Sequence, residues 1–190
     1  HTKSELEHMP TVTFYPVGIG DTSLIKLDNK KMILMDYDQK DKAQDTDTPE
    51  CDIAKALRKE LDDAKKNSFE VVAFTHADAD HIKGSSEFFY LEHAKAYQDE
   101  GRIIIDELWV PAAMLIEVAD QDKQKEENII WRREARHRLK NKKGIKVFSK
   151  PEGLIDLIEN QWERKVEEFD DFIIDAGTLV DTFTLSNDGV

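Results

Sequence analysis

Residues Glu70-Val71-Val72-Ala73-Phe74 form a nearly unbroken apolar run, and Thr75-His76-Ala77-Asp78-Ala79-Asp80-His81 follows it directly. A strand this apolar lacks the alternation of a half-solvated strand, so both of its faces need cover, as in the interior of a layered α/β sheet. No other stretch restricts the fold as strongly. The polar segment at its end then sets imidazole and carboxylate groups where such a sheet exposes side chains.

The flanking sequence supplies the remaining layers. Thr11 to Val17, Thr22 to Leu27 and Met32 to Asp36 are β-branched or apolar and are separated by Gly18-Ile19-Gly20-Asp21 and Asp28-Asn29-Lys30-Lys31, which predicts a three-stranded meander. Thr48-Pro49 offers an N-cap and first helical residue for a helix whose apolar stripe is Ile53, Leu57, Leu61 and Ala64. A helix carrying Phe88, Phe89, Leu91 and Ala94 and a strand from Ile103 to Val110, ended by Pro111, come next. A long helix from Asp120 to Lys143, with Gly144 as its C′ residue, follows. Ile145 to Phe148 predicts a short strand, Pro151-Glu152 a further helix, and Phe172-Ile173-Ile174 the start of a last β region. Strands and helices alternate, so the class is α/β.

Composition excludes several functions. The 190 residues carry a formal charge of −13, which argues against a protein that coats nucleic acid through general basicity. Cys51 stands alone, so neither a disulfide framework nor a cysteine-rich zinc site can form, and any metal must use His and carboxylates. No apolar run suffices to span a bilayer and the first residues lack a signal-peptide pattern, so no membrane contact and a cytoplasmic address are expected.

In an extended segment alternate residues share a side, so His76, Asp78 and Asp80 are expected to converge, with His81 reaching in from the turn. A mixed nitrogen and oxygen donor set suits zinc or manganese. Two such ions about 3.5–4 Å apart would activate a water for hydrolysis.

At these residues the chain resembles the metallo-β-lactamase superfamily, whose strand-end signature is His-x-His-x-Asp-His. Asp78 stands at the second His, and the resulting His-x-Asp-x-Asp-His looks like the hydrolase domain of ComEC-type competence proteins. Val17-Gly18-Ile19-Gly20-Asp21-Thr22 and Ile33-Leu34-Met35-Asp36 resemble two further segments of that family, so the likeness covers about residues 11 to 110. It implies an αββα sandwich, here its N-terminal half plus a helical, basic insertion over 119–170, in a single domain over 1–190 that stops near the middle of the fold. It also implies His76 and Asp78 on a first Zn2+ or Mn2+ ion, Asp80 and His81 on a second, and Asp80 holding the attacking water. Asp36 and Asp21 would support the ligands from behind. Tyr37-Asp38 replaces the family's Thr-Gly, Lys83-Gly84 replaces Gly-Gly, and no later segment matches the remaining metal ligands.

Positive charge concentrates in Arg132, Arg133, Arg136, Arg138, Lys140, Lys142, Lys143 and Lys146. Arg132, Arg133, Arg136 and Lys140 could grip a phosphate backbone; equally, they could be a solvated helix face that complements the dipole. Two functions follow as expectations. One is a metal-dependent hydrolase acting on phosphodiesters or nucleic acid; the other is a non-catalytic interaction module that binds a protein partner in a multi-component bacterial system.

Overall fold

The computed structural model describes residues 9–41, 49–116, 126–175 and 177–178. The strands β1 (Thr11–Phe14), β2 (Ser23–Lys26) and β3 (Met32–Met35) pair antiparallel as the expected meander. From β3 onward β4 (Ser68–Ala73), β5 (Ile104–Pro111), β6 (Ile145–Phe148) and β7 (Ile173–Ile174) add in parallel, each beside its predecessor. The result is α/β, with one mixed sheet of seven strands in the order β1 to β7.

Parallel neighbours need crossovers. Helix α1 (Ile53–Ala64) joins β3 to β4; the single turns α2 (Ala79–Ile82) and α3 (Ser85–Phe88) follow β4. Helix α4 (Glu126–Lys140) leads into β6, and α5 (Glu152–Asp156), prolonged by a π-helical turn over Leu157–Gln161, leads towards β7. Right-handed crossovers that always step the same way would set their helices on one face of the sheet. The cross-strand row Leu24, Leu34, Val72, Leu108, Ile145 faces those helices, and all five residues are fully buried. The row Phe14, Ser23, Met35, Ala73, Trp109, Lys146 lies on the other face, where Phe14 is exposed and the rest are half-buried.

Several boundaries differ from the expectations. Helix α1 is capped by Asp52, whose Oδ1 accepts from Lys55 N at 3.2 Å, because Asp satisfies an orphan N–H that Pro49 cannot reach. Thr48 lies outside the described residues. The helix after Gly84 stops at Phe88, and Phe89 leaves in an extended conformation to bridge Ile103. Helix α4 ends in a Schellman turn with Lys142 at φ 53; Lys143 N bonds to Arg138 O and Lys142 N to Leu139 O. Gly144 also has a positive φ of 62, for another reason: a Cβ there would come within 2.8 Å of Asp106 O. Most consequentially, β6 lies inside the segment 119–170 and pairs with β5, so that segment is woven into the sheet.

Candidate metal centre

The site is built where β3 and β4 end side by side. Asp36 N bonds to Ala73 O at 2.8 Å, and Asp36 itself takes a left-handed φ of 56, a conformation Asp tolerates better than bulkier residues. Its buried carboxylate accepts from Thr75 N at 2.8 Å through Oδ1, and Oδ2 accepts from Thr75 Oγ1 at 2.7 Å. His81 Nδ1 stands 2.9 Å from the same Oδ2. Asp36 is thus a support behind His81, fixing the ring and leaving Nε2 to face outward.

The heptapeptide is not extended throughout. Asp78 occupies the N-cap of α2, so Asp80 and His81 sit on a helical turn while His76 precedes it. That bend brings one donor atom each from His76, Asp80 and His81 within 4.8 Å of one another, the one such group among the described residues. His81 Nε2 is 3.6 Å from Asp80 Oδ2, and the rings of His76 and His81 lie 3.6 Å apart between centroids. Asp78 does not join them. Its side chain is 78% exposed, makes no capping hydrogen bond to the turn it begins, and lies 3.6 Å from His76 Nε2.

Two strands of backbone hold the turn. Tyr37 N bonds to His81 O at 2.9 Å, Gln39 N to Lys83 O at 3.0 Å, and Asp21 N to Asp80 O at 3.3 Å. Asp21 therefore reaches the site through its main chain. Gly20 is needed for that approach, since a Cβ would lie 1.7 Å from Asp38 Oδ2 and 2.6 Å from Asp80 O. Asp38 is fully buried and ion-paired with Lys40. Burial lifts its carboxyl above the usual range, and Lys40 opposes that rise. Neither Asp38 nor Thr75 was singled out in the sequence, although Asp38 is two residues past Asp36 and Thr75 begins the heptapeptide.

The basic residues of α4 do not form one exposed surface. Arg138 is buried against Glu134 at 2.7 Å, Arg136 Nε donates to Leu115 O, and Lys140 lies over the Trp162 ring. Arg132 is half-buried and Arg133 exposed. The end of α4 that touches the segment after α2 is acidic: Glu127 accepts from Gly84 N and Ser86 N, both at 2.9 Å. At 1.5 Å per residue, Arg136 and Lys140 lie about 14 to 20 Å further along the helix than Glu127. A cleft of about 550 Å³ opens beside α2, lined by Ala79, Lys83, Glu87, Tyr97, Arg102 and Glu127 among others. No family model and no curated protein sequence matches the chain.

Proposed function

We propose that the chain is a metal-dependent hydrolase of the metallo-β-lactamase type, with His76, Asp80 and His81 holding a Zn2+ or Mn2+ ion. The observation that carries this reading is the convergence of the three donors within 4.8 Å, with His81 backed by a buried carboxylate. Two imidazoles and one carboxylate are the donor set of many catalytic zinc sites, which leave a position open. A bound ion would supply Lewis acidity and lower the pKa of a coordinated water. Asp36 orients His81, and the half-exposed Asp80 and His76 leave the centre accessible from solvent.

A second ion would need further donors, and Asp78 is the nearest carboxylate that could swing towards His76. The phosphodiester reading draws on the family resemblance alone, since Lys83 and Arg102 in the adjoining cleft pair with Asp41 and Asp99 and share it with Glu87, Glu126 and Glu127. The sheet face opposite the helices, where Met35, Ala73 and Trp109 are half-buried, is where the second sheet of an αββα sandwich would pack. No helix among the described residues is long and apolar enough to cross a membrane.

Elemental analysis of protein equilibrated with zinc or manganese tests the centre. At least one equivalent should bind, and an Asp80→Ala, His81→Ala variant should lose it; equal metal in both proteins, or none in either, would reject the reading. Turnover of bis(p-nitrophenyl) phosphate by the loaded protein, absent in the variant, is the corresponding test of hydrolysis. The interaction-module reading is favoured by Phe14 and Ile19, 80% and 92% exposed at the β1 end of the sheet. Metal binding without turnover would turn the argument towards it.

A further inference from the structure

Strand β1 is an outer edge of the sheet, and only one of its sides is used. Tyr15 N donates to Thr22 O at 3.0 Å, which makes Tyr15 and Thr22 a hydrogen-bonded pair of the antiparallel ladder. Such pairs alternate, so Thr11 and Thr13 also turn their main-chain groups towards β2, while Val12 and Phe14 turn theirs outward. Among the described residues nothing bonds to the N–H or C=O of Val12 or Phe14. Beyond them the edge is closed: Pro10 has no N–H, and the Pro16 carbonyl accepts from Cys51 N at 2.8 Å. The side chains match this exposure. Of the five large apolar side chains exposed among the described residues, Met9, Val12, Phe14 and Ile19 lie in or beside β1. No charged residue falls between Met9 and Gly20, in a chain of formal charge −13, so the edge lacks the charge that ordinarily guards such a strand.

We propose that β1 is a dimerisation edge, on which the β1 strand of a second copy of this chain pairs antiparallel about a two-fold axis through Thr13. Val12 N–H then donates to the carbonyl of the partner's Phe14, and Phe14 N–H to that of the partner's Val12. The symmetry repeats both bonds, so all four outward groups of each strand are satisfied. Three observations select a second copy as the occupant. The free groups sit one residue either side of Thr13, which makes the strand complementary to itself. A chain this acidic meets its own kind without like charges opposed only over an uncharged surface, and β1 supplies one. Val12 opposite Phe14 is a β-branched and aromatic pair, and Thr13 lies opposite Thr13, both favoured across strands. The contact uses the β1 edge of both copies, so association closes at two. A paired strand this short is a small interface, and the dimer is therefore weak, with a dissociation constant on the order of 10–100 μM. Strand β1 leads into Gly18–Asp21, which rests on the turn of Asp80, and the two-fold axis sets these loops at opposite ends of the joint sheet. Neither copy reaches the other's candidate metal centre, and the inference stands apart from the metal reading.

Sedimentation velocity of the full chain, from micromolar to near-millimolar concentration, should show a reversible monomer–dimer equilibrium. Val12→Pro removes one outward N–H from each copy and leaves the ladder to β2 intact, so it should weaken the dimer about tenfold or more. Phe14→Ser keeps the main chain and removes apolar cover, with an effect of about the same size. Unchanged far-ultraviolet circular dichroism and urea midpoints would show that both variants fold. The register has its own test, which decides the matter if Val12→Pro does not fold. In a Cys51→Ser background, Thr13→Cys places each thiol opposite its own image, with Cα atoms about 4.5 Å apart, within disulfide range. Mild oxidation with diamide should lock that protein into a dimer. Thr11→Cys, about 14 Å from its image, should stay uncrosslinked. A monomer at every concentration, a dimer that a folded Val12→Pro leaves unchanged, assemblies larger than two, or crosslinking at Thr11 as readily as at Thr13 would each overturn the proposal.

Discussion

Gly20 shows how tightly single positions control this site. Adding one methyl group there would collide with the buried Asp38 carboxylate and with the Asp80 carbonyl, which cannot move without carrying the turn that bears Asp80 and His81 with it. Gly20→Ala is therefore expected to weaken zinc binding by about tenfold or more in chelator competition. Adding Asp38→Ala should restore only part of that loss, because the clash at 2.6 Å with Asp80 O persists. Full restoration would mean that Asp38, and not the Asp80 backbone, sets the limit. The convergence of His76, Asp80 and His81 was legible in the sequence because groups able to hold a metal are restricted in residue type. Asp38 was not, since its burial follows from the left-handed turn at Asp36, and a backbone reversal at a non-glycine residue leaves no mark in the pattern of apolar residues.

At the scale of elements, α4 is anchored by charge placed inside the protein. Glu134 is fully buried and accepts from Glu92 N and His93 N at 3.0 Å, from His93 Nδ1 at 2.8 Å and from Arg138 Nε at 2.7 Å. Burial alone would raise its carboxyl, but His93 and Arg138 outweigh that and hold it down at about 2. A carboxyl depressed in the folded state stabilises the fold fully above its unfolded value of about 4.3 and ceases to do so as pH falls through its folded value. Urea midpoints should thus decline between about pH 4.5 and 2 in the wild type, and more shallowly in Glu134→Gln. The variant should also be less stable at neutral pH by about 3 kcal/mol, because Arg138 is left without its counter-charge. A neutral-pH stability equal to wild type would reject this role. The basic character of α4 was legible, yet the direction of each side chain was not. Arg138 falls on the same stripe as the buried Trp131, Ala135 and Leu139, and the charge count of the segment hides that.

At the scale of the molecule, the sequential order of strands decides what can be removed. Because β6 sits between β5 and β7, the segment 119–170 supplies an interior strand of the parallel region, and Trp131, Leu139, Ile145, Val147 and Leu154 in it are fully buried in the common core. An insertion appended to a finished domain could be excised with little effect, since a loop closed over a different length costs only a slowly growing entropy. Excising 119–170 here would strip the helix-covered face of β5 and separate β7 from the sheet. The deleted protein is therefore expected to lose cooperative urea unfolding and the near-ultraviolet circular dichroism of a packed core. A sharp transition retained in the deletion would show that residues 9–116 close their own core and that β6 only decorates it. The alternation of strands and helices was legible because each element carries its own periodicity. Whether a strand joins an existing sheet or stands apart was not, because that depends on which edge is free when the chain returns, and here the free edge was β5.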